Sequence, residues 1–157
     1  MVNDLQFSIS LEGFDQHMKN VSIAENKLKD LKAPLKIIEK YLMRRIYNGF
    51  EKSTDPYGKA WEDIAELTLL TRKKNTKDER PLIDTGKLRN SFESTIDKNT
   101  LTIGSNNEYA QDHQYGGTTA SGAIIPQRMM IPTSDLGLPD LWKNKALREI
   151  TNHILKY

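Results

Sequence analysis

The sequence predicts an α+β fold: a small antiparallel sheet with a long kinked N-terminal helical arm and a C-terminal helix, in one domain spanning residues 1–157. Three observations carry that prediction. Apolar and polar residues alternate with period two at the N-terminus and again between residues 92 and 104, the mark of strands with one buried face. An apolar seam with spacings of three and four runs through residues 21–42, and a second amphipathic stretch closes the chain. A length of 157 residues suits one ordinary domain.

Leu5, Phe7, Ile9 and Leu11 define the first strand, ended by Gly13. Val21, Ala24, Leu28, Leu31, Leu35, Ile38 and Leu42 then form the seam of a helical arm from about residue 14 to residue 50, with Asn48-Gly49 fraying its end. Pro34 lies inside this pattern, removes one backbone donor and clashes with the carbonyl of residue 30, so the arm kinks or restarts there. Two readings of the seam stay open: it covers the domain's own sheet, or part of it packs on neighbouring subunits.

Ser53 to Gly58 carries dense turn chemistry, and Trp61, Ile64 or Ala65, and Leu67-Thr68 suggest a short helix after it. Residues 72–81 contain five basic and two acidic side chains and almost nothing apolar, which predicts a solvated, mobile basic loop. Asp84 or Thr85 is a candidate N-cap for a helical turn reaching Leu88. Phe92 to Ile96 and Leu101 to Gly104 read as a hairpin around Asp97-Lys98-Asn99-Thr100, and residues 108–115 as one helical turn stopped by Gly116-Gly117. Prolines 126 and 132 limit residues 124–132 to an edge or irregular strand. Trp142, Ala146, Leu147, Ile150 and Ile154 mark the C-terminal helix after Pro139.

Hydrophobic residues make up 37% of the chain and charged ones 28%, so a folded domain with a modest core is expected. The formal net charge of +2 is too balanced for a dedicated nucleic-acid binder, although Arg72, Lys73, Lys74, Lys77 and Arg80 remain a candidate contact for DNA or an acidic protein. The absence of cysteine removes disulfides, thiolate zinc sites and cysteine nucleophiles. No apolar run has the length of a membrane span and the N-terminus lacks signal-peptide features, which predicts a cytoplasmic protein without a membrane partner.

Asp84-Thr85-Gly86 is the one triplet that resembles the active site of aspartic proteases, in which two aspartates share a proton. Lys87-Leu88-Arg89 continues toward a helix instead of the strand those proteases require, so a capped turn is the stronger expectation. His17, His113 and His153 have no partner at metal-ligand spacing. Gly58-Lys59 and Gly86-Lys87 lack the upstream glycine of a phosphate loop, and no nucleophile elbow surrounds any serine. Neither an enzymatic activity nor a cofactor is predicted.

Several spaced features together resemble the phage virion morphogenesis family, the tail completion proteins of Mu-like tailed phages and prophages. They are Phe50, Asp55-Pro56-Tyr57-Gly58 and Trp61, then Leu82-Ile83 with Thr85-Gly86-Lys87-Leu88 and Ser91. Ile103-Gly104-Ser105 leads to Tyr109-Ala110-Gln111-Asp112-His113-Gln114-Tyr115-Gly116, the most specific piece, and Ile125-Pro126-Gln127-Arg128 completes the set. Met129-Met130 departs from the aromatic-aliphatic pair common in that position, and Gly117 to Gly122 makes a more polar loop than usual.

The resemblance implies a non-enzymatic assembly protein, made in the host bacterial cytoplasm and carried in the virion tail or neck. It would complete or cap the tail and support head-tail joining as a ring-type homo-oligomer. Its partners would be copies of itself and tail tube, terminator or neck proteins. Trp61, Gly86, Leu88, Tyr109, His113, Gln114, Gly116 and Arg128 become the assembly candidates. In that light Gly86 serves a close approach or positive φ. His113 and Gln114 fix the following glycine turn, and Arg128 pairs with a carboxylate at the core edge or across a subunit boundary. The arm and the hairpin are the expected subunit surfaces, with residues 72–81 and 116–122 ordering on docking.

Overall fold

The alternating segments assemble into the expected antiparallel sheet. A computed structural model describes residues 5–10, 27–72 and 78–155. Its strands β1 (Leu5–Ile9), β2 (Phe92–Asp97) and β3 (Thr100–Ser105) lie in the order β1-β3-β2. Phe7 stands opposite Ile103 and Ile9 opposite Leu101, while on the other side of β3 Ile96 faces Leu101 and Phe92 faces Ser105. This register puts Leu5, Ile9, Phe92, Leu101 and Ile103 on one buried face and leaves Gln6, Ser8, Glu93 and Thr95 exposed on the other.

Helix α1 (Lys32–Lys52) covers the buried face with one stripe: Leu35, Ile38, Leu42, Ile46 and Phe50 are all buried. Pro34 does not kink it. The proline sits in the first turn, where a missing N–H has no helical carbonyl to leave unpaired. The chain restarts after a turn at residue 29, and the hairpin tip holds that break: Asn99 accepts from Leu31 N at 3.2 Å and donates to Leu28 O at 2.8 Å. At the other end the helix runs through Asn48-Gly49 without fraying and stops at Ser53, whose φ of 52° is left-handed. Residues 14–26 of the predicted arm lie outside the described residues.

A second helix, α2 (Glu66–Arg72), begins later than the Trp61 start that the sequence suggests, because Trp61 is 6% exposed and packs into the core as part of a loop. A 3-10 turn (Arg89–Ser91) leads into β2, and it has no side-chain cap; Asp84 and Thr85 precede it in bends, and its approach is closed instead by Asn90 N donating to Gly86 O at 2.9 Å. Helix α3 (Ala110–Tyr115) is the predicted single turn. The strands β4 (Gly117–Thr118) and β5 (Ile124–Ile125) pair with each other, so the polar loop after Gly116 is a small hairpin, closed by Thr119 N donating to Ala123 O. Helix α4 (Asp140–Leu155) starts after Pro139 and lays Trp142, Ala146, Ile150 and Ile154 against the core beside α1.

The core is therefore a sheet under two helices, and the seam residues in α1 belong to it. Leu35 and Ile38 are completely buried within the chain, which removes them from the subunit surface assigned to the arm. Ile38→Ala should cost about 2–5 kcal/mol of unfolding free energy in urea, the usual loss for a fully buried aliphatic. Ile37, 49% exposed, should tolerate alanine within about 0.5 kcal/mol. An unchanged unfolding curve for Ile38→Ala, coupled to loss of an oligomer, would return the seam to an interface.

Candidate functional site

Between Pro126 and Pro132 the chain is irregular and largely buried, and belongs to no strand: Met130 is 3% exposed, Ile131 1% and Arg128 7%. Buried peptide groups need partners, and side chains from elsewhere supply them. Gln114, on α3 and completely buried, donates to Ile131 O at 2.7 Å while its Oε1 accepts from Met130 N at 2.8 Å and Ile131 N at 3.2 Å. Its primary amide thus pairs like a neighbouring strand. The backbone carbonyls of α3 extend the set, since His113 O accepts from Arg128 N at 2.7 Å and Gln114 O from Gln127 Nε2 at 3.2 Å.

The loop at Trp61 grips the same segment from its other side. Trp61 Nε1 donates to Met129 O at 2.9 Å, and Arg128 returns two bonds, Nε to Glu62 O and Nη2 to Asp63 O, both 2.8 Å. Within the chain Arg128 therefore bonds to backbone carbonyls and not to a carboxylate at the core edge. Burial pushes its pKa down; the Glu62 carboxylate opposes that shift, Arg72 adds to it and Asp63 opposes it. Gly116 completes the clamp. Its φ is +73°, and a Cβ there would lie 3.1 Å from both Gln127 N and Ile125 O, so only glycine turns the chain here. Gln114 and the His113 carbonyl hold residues 128–131, so the sequence expectation that these side chains fix the glycine turn is corrected.

This clamp forms one wall of an open cleft of about 790 Å³. Gly86, Leu88, Tyr109, His113 and Arg128 all line it, together with Arg72; Trp61, Gln114 and Gly116 stand behind the wall. Gly86 adopts a φ of +77°, Leu88 is in the core, and Tyr109 is 59% exposed at the rim. His113 Nδ1 is buried without a hydrogen-bond partner; burial, then the charge of Arg128, lowers the imidazole pKa and keeps it neutral near pH 7.

The basic segment is only partly visible, since Lys73, Lys74 and Lys77 lie outside the described residues. Its two arginines both have partners within the chain. Arg72 Nη1 donates to Arg80 O at 3.0 Å and Ile83 O at 3.3 Å, bracing a turn in which Leu82 has a φ of 61°. Arg80 pairs with Glu51 and Asp78, and its hydrogen bonds hold the Asp78 carboxyl down at about 2. Arg80 is thus paired with two carboxylates, whereas Arg72 bonds only to backbone carbonyls.

The surroundings of Asp84 differ from those of an aspartic protease triplet. Asp84 is exposed in a bend leading to the 3-10 turn, and the sheet is three-stranded under helices rather than the predominantly β frame that such a triplet needs. Among the described residues no group of His, Asp and Glu is placed to hold a metal ion, and no helix is long and apolar enough to cross a membrane. Arg72, Lys87 and Ile124 line the cleft without having been grouped by sequence, because they come from three separate segments. The proline pair 126 and 132, which forbids regular pairing of the segment between, is the sequence signal that side chains must hold it.

The sequence profile of the phage virion morphogenesis family matches residues 9–154. No curated protein and no solved structure matches the chain significantly.

Gln114→Leu should destabilise the fold by about 2–4 kcal/mol in chemical denaturation, because three buried backbone groups lose their partner at about 1 kcal/mol or more each. Acid should act through His113. Its folded pKa lies below the unfolded value of about 6.5, so the unfolded chain binds the extra proton and stability falls as pH drops from 7 toward 5. The melting temperature of His113→Phe should decline less than wild type over that interval. Parallel declines would show that His113 does not carry the effect.

Proposed function

The chain belongs to the phage virion morphogenesis family, and on that premise we propose that it completes or caps the phage tail and supports head-tail joining through ring contacts between subunits. Membership makes it a structural participant in virion assembly. The observation that carries the finer reading is the use of the family-motif side chains: Trp61, Gln114 and Arg128 all bond to the chain's own backbone and build a rigid wall. Catalytic groups would be aimed at a substrate instead. A braced wall beside an open cleft is what a docking protein needs, since little ordering remains to oppose association.

A ring of identical subunits requires two different complementary surfaces on each. Repetition around the ring then multiplies weak contacts to the tail, so each subunit needs modest affinity of its own. The partners on this reading are other copies of the chain and tail tube, terminator or neck proteins, met in the host cytoplasm during assembly and retained at the virion tail or neck. A neck component bound to DNA through Arg72, Lys73, Lys74, Lys77 and Arg80 is less favoured, because Arg72 and Arg80 already have partners within the chain.

Deleting the coding sequence from an inducible phage should leave separate heads and tails under the electron microscope, with joined particles restored by the wild-type gene. Asp84→Asn should restore them equally well, as no proteolytic step is involved. Normal yields of joined, infectious particles from the deletion would refute the assignment.

A further inference from the structure

Helix α1 buries one face and turns a row of cations to solvent. With Leu35, Ile38, Leu42 and Ile46 in the core, the exposed positions between residues 31 and 50 are Lys32, Ala33, Lys36, Ile37, Lys40 and Arg44. Lys32, Lys36, Lys40 and Arg44 follow one another at intervals of four, so they stack in a single row along the helix. At a rise of 1.5 Å per residue the row is about 18 Å long. Like charges at this spacing repel and weaken the helix that carries them. The row contains three consecutive such pairs, a pattern that a partner of opposite charge relieves.

The carboxylates nearest in sequence are engaged elsewhere. Glu39, the one acidic residue between 31 and 50, accepts from Ser94 Oγ on β2. Before the row, Asp30 Oδ1 accepts from Lys32 N at 3.0 Å; beyond it, Glu51 pairs with Arg80 and Arg89. Among the described residues no ion pair includes Lys32, Lys36, Lys40 or Arg44. Even with Glu39 counted, residues 31–50 hold five basic side chains and one acidic one, a net +4 in a chain whose formal charge is +2.

The composition of the row selects the kind of partner. Protein interfaces are depleted in lysine and enriched in arginine and aromatics, whereas three of these four cations are lysines and none of the six exposed positions is aromatic. Lysine acts on phosphate as a point charge. Duplex DNA carries one negative charge per about 1.7 Å of its axis, so a row of this length meets several phosphates, and such contacts carry no base sequence. We propose that the solvent face of α1 lies along the phosphate backbone of duplex DNA, with Lys32, Lys36, Lys40 and Arg44 each displacing condensed counterions. The site shares no residue with the cleft or with the 72–81 segment, and it requires neither ring closure nor tail completion.

Salt dependence tests the contact. The purified chain is titrated against a fluorescently labelled duplex of mixed sequence between about 50 and 200 mM salt. Four phosphate contacts give a slope of log affinity on log salt of about −3.6, a loss of about 150-fold over that range. Lys36→Gln/Lys40→Gln should lower the slope to about −1.8 and the loss to about 12-fold, with a melting temperature equal to wild type or higher, since like-charge repulsion is removed. Lys87→Gln/Lys143→Gln removes the same charge from exposed positions elsewhere and should keep the wild-type slope. A wild-type slope near zero, or equal slopes for wild type and Lys36→Gln/Lys40→Gln, overturns the proposal. So does a duplex that binds neither protein while purified phage tails retain the wild type and not the variant, the result that an acidic protein partner would give. Particle joining is read in a separate assay, so loss of the DNA contact leaves the tail-completion reading intact.

Discussion

The five residues from Gln127 to Ile131 impose the strictest constraint on this fold. They are irregular in conformation and mostly buried between two prolines, and they pair with no strand. Unpaired buried peptide groups cost about 1–3 kcal/mol each, so the segment can lie there only if other parts of the chain replace the missing ladder. One carboxamide, Gln114, serves three of its groups, and the indole of Trp61 and the carbonyl of His113 serve two more. The short helix α3 and the loop after α1 are thereby fixed relative to each other through a segment that belongs to neither.

That arrangement also explains why the core and the cleft are one mechanical unit. Phe50, at the end of α1, meets Trp61 edge-on at 5.5 Å and Phe92 of β2 at 5.9 Å. Trp61 thus contributes apolar area to the helix-sheet core and a donor to the clamp. Arg128 works in the reverse direction, from the clamped segment back to the 62–63 backbone. Glu51 pairs with Arg80 and Arg89, linking the same helix end to both sides of the 80–89 turn that lines the cleft. These exposed pairs add little stability individually, but they restrict how that turn can sit.

What the sequence reveals follows the range of the interactions involved. The strands, the α1 stripe and the α4 stripe are legible because their periodicity records which face meets the core. The role of Pro34 is not, since the same apolar register continues across a kink or a restart. The restart is stabilised by Asn99, 68 residues away at the hairpin tip. Trp61 looks helical by spacing because a single aromatic before an amphipathic turn carries no record of the tertiary partner, Met129 O, that holds it in a loop. The loop at 72–81 looks uniformly solvated because Arg80 finds its carboxylate on α1, 29 residues earlier. The family resemblance singled out Gln114 and Arg128, yet their targets could not be read without the segment they hold.

A buried arginine anchored by carbonyls has a further consequence for recognition. Arg128 and Arg72 have their guanidinium planes set by hydrogen bonds before any partner arrives, so they lose little rotamer freedom on binding. Lysines on an open loop would have to be ordered at that moment, at about 0.5–1.5 kcal/mol per side chain. Fixed charge at the back of a cleft favours register as well as affinity for a partner that docks there. The same side-chain bonds that let an unpaired segment stay buried therefore also orient the Arg128 guanidinium at the cleft.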